Sequence, residues 1–280
     1  MKTYLEQKVE SHTGTEILLL TGMAFAFLAH LCIQIYHVTH KVAPVERVAF
    51  PITTLIFTVL VLIHGLYTLG WRQTLAFFSL TYVISFCFEF VGARTGLVFG
   101  PYHYTNLLGP EWFHTVPMVI PCAYFMVLYP CYLMADLLLG DGPLDLPKGL
   151  GWAVTASLFS GLIMTAWDLT MDPLMAGEVK AWIWTSGGAY FNIPFQNYIG
   201  WVITCATCSL AFRGAAPKIP LKPLGRPNRW ILMLPLLGYG VLCFGDFFVG
   251  YPVATRVISP FVMGVPLLAA TLRVFAPAEP

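Results

Sequence analysis

The sequence predicts an all-α integral membrane protein: a polytopic helix bundle of about eight transmembrane helices with aromatic and glycine-rich loops that re-enter or cover it. Three observations carry this expectation. Of 280 residues, 58% are hydrophobic and only 10% charged, and mean hydropathy is +0.73, where a soluble domain has about 25% charged residues. Apolar stretches long enough to cross about 30 Å of hydrocarbon recur along the whole chain. The breaks between them are short runs of Gly, Pro and charge, such as Gly140 to Gly149 and Gly214 to Asn228, which leave no room for a second folded unit. Residues 1–280 therefore read as one membrane domain.

Helices are expected near 16–36, 48–69, 74–92, 117–139, 151–172, 196–212, 230–249 and 255–274, the sixth being short for a span. The first fifteen residues are polar and of mixed charge, and no small-residue cleavage site follows the first apolar run. That run is expected to be a retained transmembrane helix rather than a signal peptide. With eight spans, ten of the 15 Lys and Arg residues fall on one side, among them Arg72, Arg213 and Arg273. The other five, Lys41, Arg47, Arg94, Lys180 and Arg256, fall opposite. The positive-inside rule then puts both termini in the cytoplasm of a cell membrane. Lys+Arg (15) balances Asp+Glu (14) with no polybasic run beyond one loop, which argues against a nucleic-acid partner.

Most polar residues within the helices have ordinary explanations. The seven cysteines lie almost entirely within apolar runs, and the Cys205-x-x-Cys208 pair has no second pair to complete a metal or redox site, so they are read as small packing residues. His30, His37, His40 and His64 do not supply the repeated histidine boxes of membrane di-iron enzymes, and no metal is expected. Asp136 and Asp246 sit inside or near the ends of apolar helices. Asp246 either lines a site or makes a structural hydrogen bond to a neighbouring helix.

Two stretches do not fit a scaffold. Trp167–Trp201 opens with Asp168 and Asp172, four apart and so on one helical face, then leaves the helical pattern at Pro173 for Trp182, Trp184, Tyr190, Phe191, Asn192 and Asn197. Carboxylates at membrane depth are costly and are usually functional or paired. Asp168 and Asp172 could chelate a magnesium diphosphate or hold a proton. A single DxxxD without a Lys or Arg cluster favours the proton donor, while the structural alternative has Asp168 bonded to a neighbouring helix and Asp172 starting the turn into Pro173. In Glu89–Pro117, Glu89 either pairs with Arg94 or stands as a further acid or base. Tyr102, His103, Tyr104 and Asn106 follow in a loop marked by Gly100, Pro101, Gly109 and Pro110. That loop is either a re-entrant segment lining a cavity or part of an interfacial aromatic belt. An acid, a positioned water and cation-tolerant aromatic walls are what adding water to an alkene requires.

The chain carries Glu89-x-x-Gly92-x-x-Thr95-Gly96, Phe99-Gly100-x-Tyr102-x-Tyr104, Val116-Pro117 and Trp167-Asp168-x-x-x-Asp172-Pro173. It continues with Trp182-x-Trp184 and Gly188-x-Tyr190-Phe191-x-Ile193-Pro194-x-x-Asn197-x-x-Gly200-Trp201. Over residues 85–201 this set resembles the membrane carotenoid biosynthesis family that includes the CruF-type carotenoid 1′,2′-hydratases. The resemblance implies a cofactor-independent hydratase acting on the acyclic ψ end of lycopene, γ-carotene or a C50 relative, giving a tertiary 1′-hydroxyl. The expected acid is Asp168 or Asp172, with Glu89 as a second candidate. Water positioning and pocket shape are expected from Arg94, Tyr102, His103, Tyr104, Trp167, Trp184, Tyr190, Asn192, Asn197 and Asp246. Asn192 departs from the family pattern, where Gly is expected before Ile-Pro, although Asn also tolerates left-handed backbone. A carotenoid cyclase or isomerase, or a carotenoid-binding membrane protein, would share many of these features. The substrate is expected to arrive laterally from the bilayer, since a long polyene has negligible solubility in water.

Overall fold

The computed structural model describes residues 14–40, 46–140, 149–221 and 228–276. The polar N-terminal stretch and six of the charges used for the orientation, Lys2, Lys8, Lys41, Lys148, Lys222 and Arg226, lie outside the described residues. So does most of the Gly140–Gly149 loop.

The helices are α1 (Gly14–His40), α2 (Glu46–Thr68), α3 (Trp71–Thr95), α4 (Ile120–Leu139), α5 (Leu150–Asp172), α6 (Phe195–Ala215), α7 (Arg229–Val249), α8 (Val253–Val262) and α9 (Gly264–Phe275). Among the described residues, seven helical stretches are long and apolar enough to cross a membrane, the last being α8 and α9 taken together, Val253–Phe275. In α1 the apolar described stretch is shorter, Leu20–His30. This is an all-α polytopic membrane bundle. The span expected at 255–274 divides at Met263, three residues before Pro266, because proline supplies no N–H for the carbonyl four residues earlier, that of Val262.

The centre of the bundle is α4, buried along almost its whole length, as a helix apolar on every face must be. Helices α2, α3, α5, α6, α7 and α9 all pack against it. The site is positioned by the antiparallel pair α5 and α6. A Cβ on Gly161 would meet the Val202 carbonyl at 2.7 Å, so glycine there lets the two backbones approach closely. About two turns further along α5 comes Asp168, and about one and a half turns back along α6 from Val202 is Asn197. Those two side chains meet.

Two short ribbons sit at the ends of these helices. Strand β1 (Tyr102–Tyr104) pairs antiparallel with β4 (Trp182–Trp184), with Tyr102 opposite Trp184, His103 opposite Ile183 and Tyr104 opposite Trp182. Strands β2 (Glu111–Trp112) and β3 (Val116–Pro117) form a hairpin whose turn residues Phe113 and His114 both have positive φ, 52° and 51°. This hairpin lies along α3, with the Phe113 ring against Phe86 and Phe90. The aromatic loops expected from the sequence thus contain short ribbons, of which β1–β4 joins the two chemistry-bearing stretches and β2–β3 lies within the first.

Candidate active site

Strand geometry explains how the site is assembled. Side chains alternate across a ribbon, so the β1–β4 ribbon turns Tyr102, Tyr104, Trp182 and Trp184 inward and leaves His103 and Ile183 exposed. The inward tyrosines meet Glu89 of α3: the Tyr102 and Tyr104 hydroxyls both donate to Glu89 Oε2, the latter at 2.7 Å. The inward tryptophans meet Asp172 of α5: Trp182 Nε1 donates to Asp172 Oδ1 at 2.7 Å and Trp184 Nε1 at 3.4 Å. One ribbon therefore holds two carboxylates from two helices.

The remaining donors come from the bundle. Tyr124 of α4 donates to Glu89 Oε1 at 2.7 Å. The Asn197 Nδ2 group donates one hydrogen to Asp168 Oδ2 at 2.8 Å and the other to Asp172 Oδ2 at 2.9 Å, joining the two aspartates. Asp168 Oδ1 is buried and has no hydrogen-bond partner. Asp168, Asp172 and Glu89 are 0%, 1% and 3% exposed. Burial, and next the charge of Glu89, push the phenols of Tyr102 and Tyr104 well up from their ordinary range. Both therefore keep their protons and act as donors.

These groups line a cavity of about 30 Å³, room for about two waters. Its walls include Trp167, Trp201, Tyr124 and Phe99, and no Lys or Arg lines it. Tyr124 stacks on Trp201 with centroids 4.6 Å apart and planes 11° from parallel, and Trp167 meets Trp201 edge-on at 6.2 Å. The cavity thus presents π faces beside three acids.

Of the residues singled out from the sequence, Glu89, Tyr102, Tyr104, Trp167, Asp168, Asp172, Trp184 and Asn197 converge on this cavity. Five do not line it. Arg94 does not pair with Glu89. It is exposed and donates to Thr115 Oγ1 at 3.0 Å and the Phe113 carbonyl at 3.3 Å, tying down the β2–β3 hairpin. His103 faces away because it sits between two inward residues of a strand. Tyr190 donates to the Leu169 carbonyl at 2.7 Å, the group that Pro173, lacking an N–H, leaves without its helical donor. Asn192 is exposed with φ 66°, the left-handed conformation expected of it. Asp246 of α7 accepts from Thr170 Oγ1 of α5 at 2.6 Å, the structural bond between helices.

Tyr124, Trp201 and Trp182 complete the site. Trp182 shows in the sequence as half of Trp-x-Trp, the period-two pattern of a strand facing one way. Tyr124 looks like ordinary aromatic content of an apolar helix, and only packing identifies it, while Trp201 closes the motif run Asn197-x-x-Gly200-Trp201. Among the described residues no group of three or more His, Cys, Asp or Glu is arranged to hold a metal ion. Five of the six oxygens of Glu89, Asp168 and Asp172 instead receive N–H and O–H donors. His64 is held between Tyr129 Oη at 2.8 Å and the Ile231 carbonyl at 2.9 Å, and Cys205 and Cys208 are buried free thiols.

Residues 49–271 match the profile of a family described as carotenoid biosynthesis protein. A bisanhydrobacterioruberin hydratase from Haloarcula japonica is 32% identical over 154 residues, which cover 54% of this chain and 48% of that protein. The match thus spans about half the length of this curated relative. No solved structure matches the chain.

Proposed function

Because the chain belongs to the carotenoid biosynthesis protein family, we propose that it is a carotenoid hydratase adding water across the terminal 1′,2′ double bond of an acyclic ψ end group. The observation that carries this reading is the cavity itself: three buried acids, space for water and aromatic walls, without a cation. Protonation of the trisubstituted double bond at C2′ leaves a tertiary cation at C1′, and water captures it. The Asp168–Asp172 pair joined by Asn197 supplies the proton. The π faces of Tyr124, Trp167 and Trp201 favour the cation, and uncompensated carboxylate charge in a low-dielectric site favours it further.

The chemistry needs no redox change and no activated group, so the residues present suffice without a cofactor. The substrate is lycopene, γ-carotene or a C50 relative, drawn from the bilayer, in keeping with the name of the Haloarcula japonica relative. A magnesium diphosphate site would need carboxylate oxygens open to a metal and basic residues for the phosphates. Here the oxygens of Glu89 and Asp172 are taken by phenol, indole and amide donors.

The test is expression in a lycopene-accumulating bacterial host with pigment analysis by chromatography and mass spectrometry. Products heavier by one or two waters are expected. Products isomeric with lycopene would show a cyclase or isomerase instead. Unchanged lycopene, γ-carotene and C50 precursors, with the protein present in the membrane, would leave a carotenoid-binding role.

A further inference from the structure

Three acids line the cavity, with six carboxylate oxygens between them, and hydrogen bonding distinguishes those oxygens. Glu89 Oε1 accepts from Tyr124, and Glu89 Oε2 from Tyr102 and Tyr104. Asp172 Oδ1 accepts from Trp182 and Trp184, and Asp172 Oδ2 from Asn197. Asp168 Oδ2 accepts the other Asn197 hydrogen. Asp168 Oδ1 has no partner, is buried, and belongs to a residue with 0% exposure that lines the cavity.

An oxygen that already receives an N–H cannot also carry a proton directed at that donor. Indole and amide N–H groups have no acceptor role to switch to, so both oxygens of Asp172 and one oxygen of Asp168 are fixed as acceptors. Phenols can reverse, but three of them converge on Glu89, and reversing one leaves two still donating. From this pattern we infer that Asp168 is the proton donor, through Oδ1, and that Asp172 and Glu89 are held carboxylates that position it and face the developing positive charge. The assignment rests on the hydratase reading for its substrate but not for the location of the proton.

A buried O–H without a protein acceptor is poorly satisfied, so the ground state loses little when that proton leaves for an alkene carbon. The step balances within the site. The Asp168 Oδ1–H bond breaks as a C–H bond forms at C2′ from the alkene electron pair, leaving the cation at C1′. A water lone pair then forms the C1′–O bond, one water O–H breaks, and its proton returns to the ionised Asp168 Oδ1. The acid is regenerated, and the net change is addition of one water. Asn197 keeps its hydrogens on both aspartates throughout, so it positions the pair without exchanging protons.

The proton's location can be read without turnover. In infrared spectra of the purified full-length protein, a protonated carboxyl gives a carbonyl stretch distinct from a carboxylate and sensitive to deuterium exchange. The expected result is one such band that disappears in Asp168→Asn, moves in Asp168→Glu, and persists in Asp172→Asn and Glu89→Gln. Should Asp168→Asn not fold, the shift in Asp168→Glu carries the assignment. In parallel, turnover of the acyclic carotenoid is expected to fall by at least about 10³-fold in Asp168→Asn and by about 10²-fold or less in Asp172→Asn. A protonated band lost in Asp172→Asn or Glu89→Gln but kept in Asp168→Asn overturns the inference, as does a wild-type spectrum with no protonated carboxyl. A wild-type protein that shows the Asp168 band but hydrates no acyclic carotenoid would leave this proton assignment standing and remove the hydratase reading.

Discussion

The bundle buries acids in two different ways. Asp136 of α4 meets Arg213 of α6 with Oδ1 and Nη1 2.6 Å apart, both side chains 0% exposed, and the guanidinium lies 3.9 Å from the Tyr132 ring centroid and 5.0 Å from that of Trp152. There the acid has an opposite charge, and the charge has aromatic faces. The cavity beneath the β1–β4 ribbon gathers three acids with no Lys or Arg in its lining and gives them only neutral donors. Removing charge from water without a counter-charge is costly, so the scaffold pair reads as structure, while the uncompensated acids of the cavity are what the proposed reaction would use against a positively charged species. A carbocation is such a species, and it exists only during the reaction.

Substitutions that treat the two regions alike should therefore give opposite results. The largest effect on activity is expected from Asp168→Asn, which should reduce carotenoid hydration by at least about 10³-fold. Thermal unfolding in detergent should place its Tm at or above that of the parent, because a buried carboxyl with an unpartnered oxygen is removed. Arg213→Leu should do the reverse and destabilise the fold by about 3–5 kcal/mol by taking the opposite charge from the buried Asp136. The double variant Arg213→Leu/Asp136→Leu should recover much of that loss in the same unfolding experiment. If Asp168→Asn is as destabilised as Arg213→Leu, the contrast between the regions fails.

Smaller effects sharpen the comparison within the cavity. Tyr124→Phe keeps the ring on Trp201 but removes the donor to Glu89 Oε1, and should lower turnover by about 10-fold, the order of one charge-assisted hydrogen bond. A larger fall in substrate affinity than in turnover would instead make Tyr124 a packing residue. The smallest effect is expected at His103, on the outer face of the ribbon, where His103→Ala should leave turnover within about twofold of the parent. A large loss there would mean that the outward face of the ribbon contacts substrate.

The difference between the regions was partly legible in the sequence. The helical spans could be read because hydrocarbon thickness sets their length, and α5 begins and ends within a residue of the 151–172 expected. The split of the last span needed Pro266 to be weighed as a break. At the site, Asp168 and Asp172 stand out by helical spacing, whereas Tyr-x-Tyr and Trp-x-Trp, expected as a re-entrant loop or an interfacial belt, carry a strand spacing that the loop reading passed over. The same alternation rule excludes His103, which composition alone had placed with its neighbours. Arg94 and Asp246 attract notice as charges near the membrane, but charge does not reveal a partner, and the partners prove to be the β2–β3 hairpin and Thr170. Tyr124 carried no local signal, because an aromatic residue in a buried helix looks the same whether it packs against lipid, core or cavity.

The central claim is that this cavity adds water to an alkene, and the most direct measurement follows the oxygen. Membranes containing the protein, supplied with an acyclic ψ-ended carotenoid in ¹⁸O-labelled water without oxygen or added cofactor, should yield a tertiary alcohol whose hydroxyl carries ¹⁸O. No such product should form with Asp168→Asn. An unlabelled hydroxyl, a requirement for oxygen, or equal product from Asp168→Asn would contradict the account.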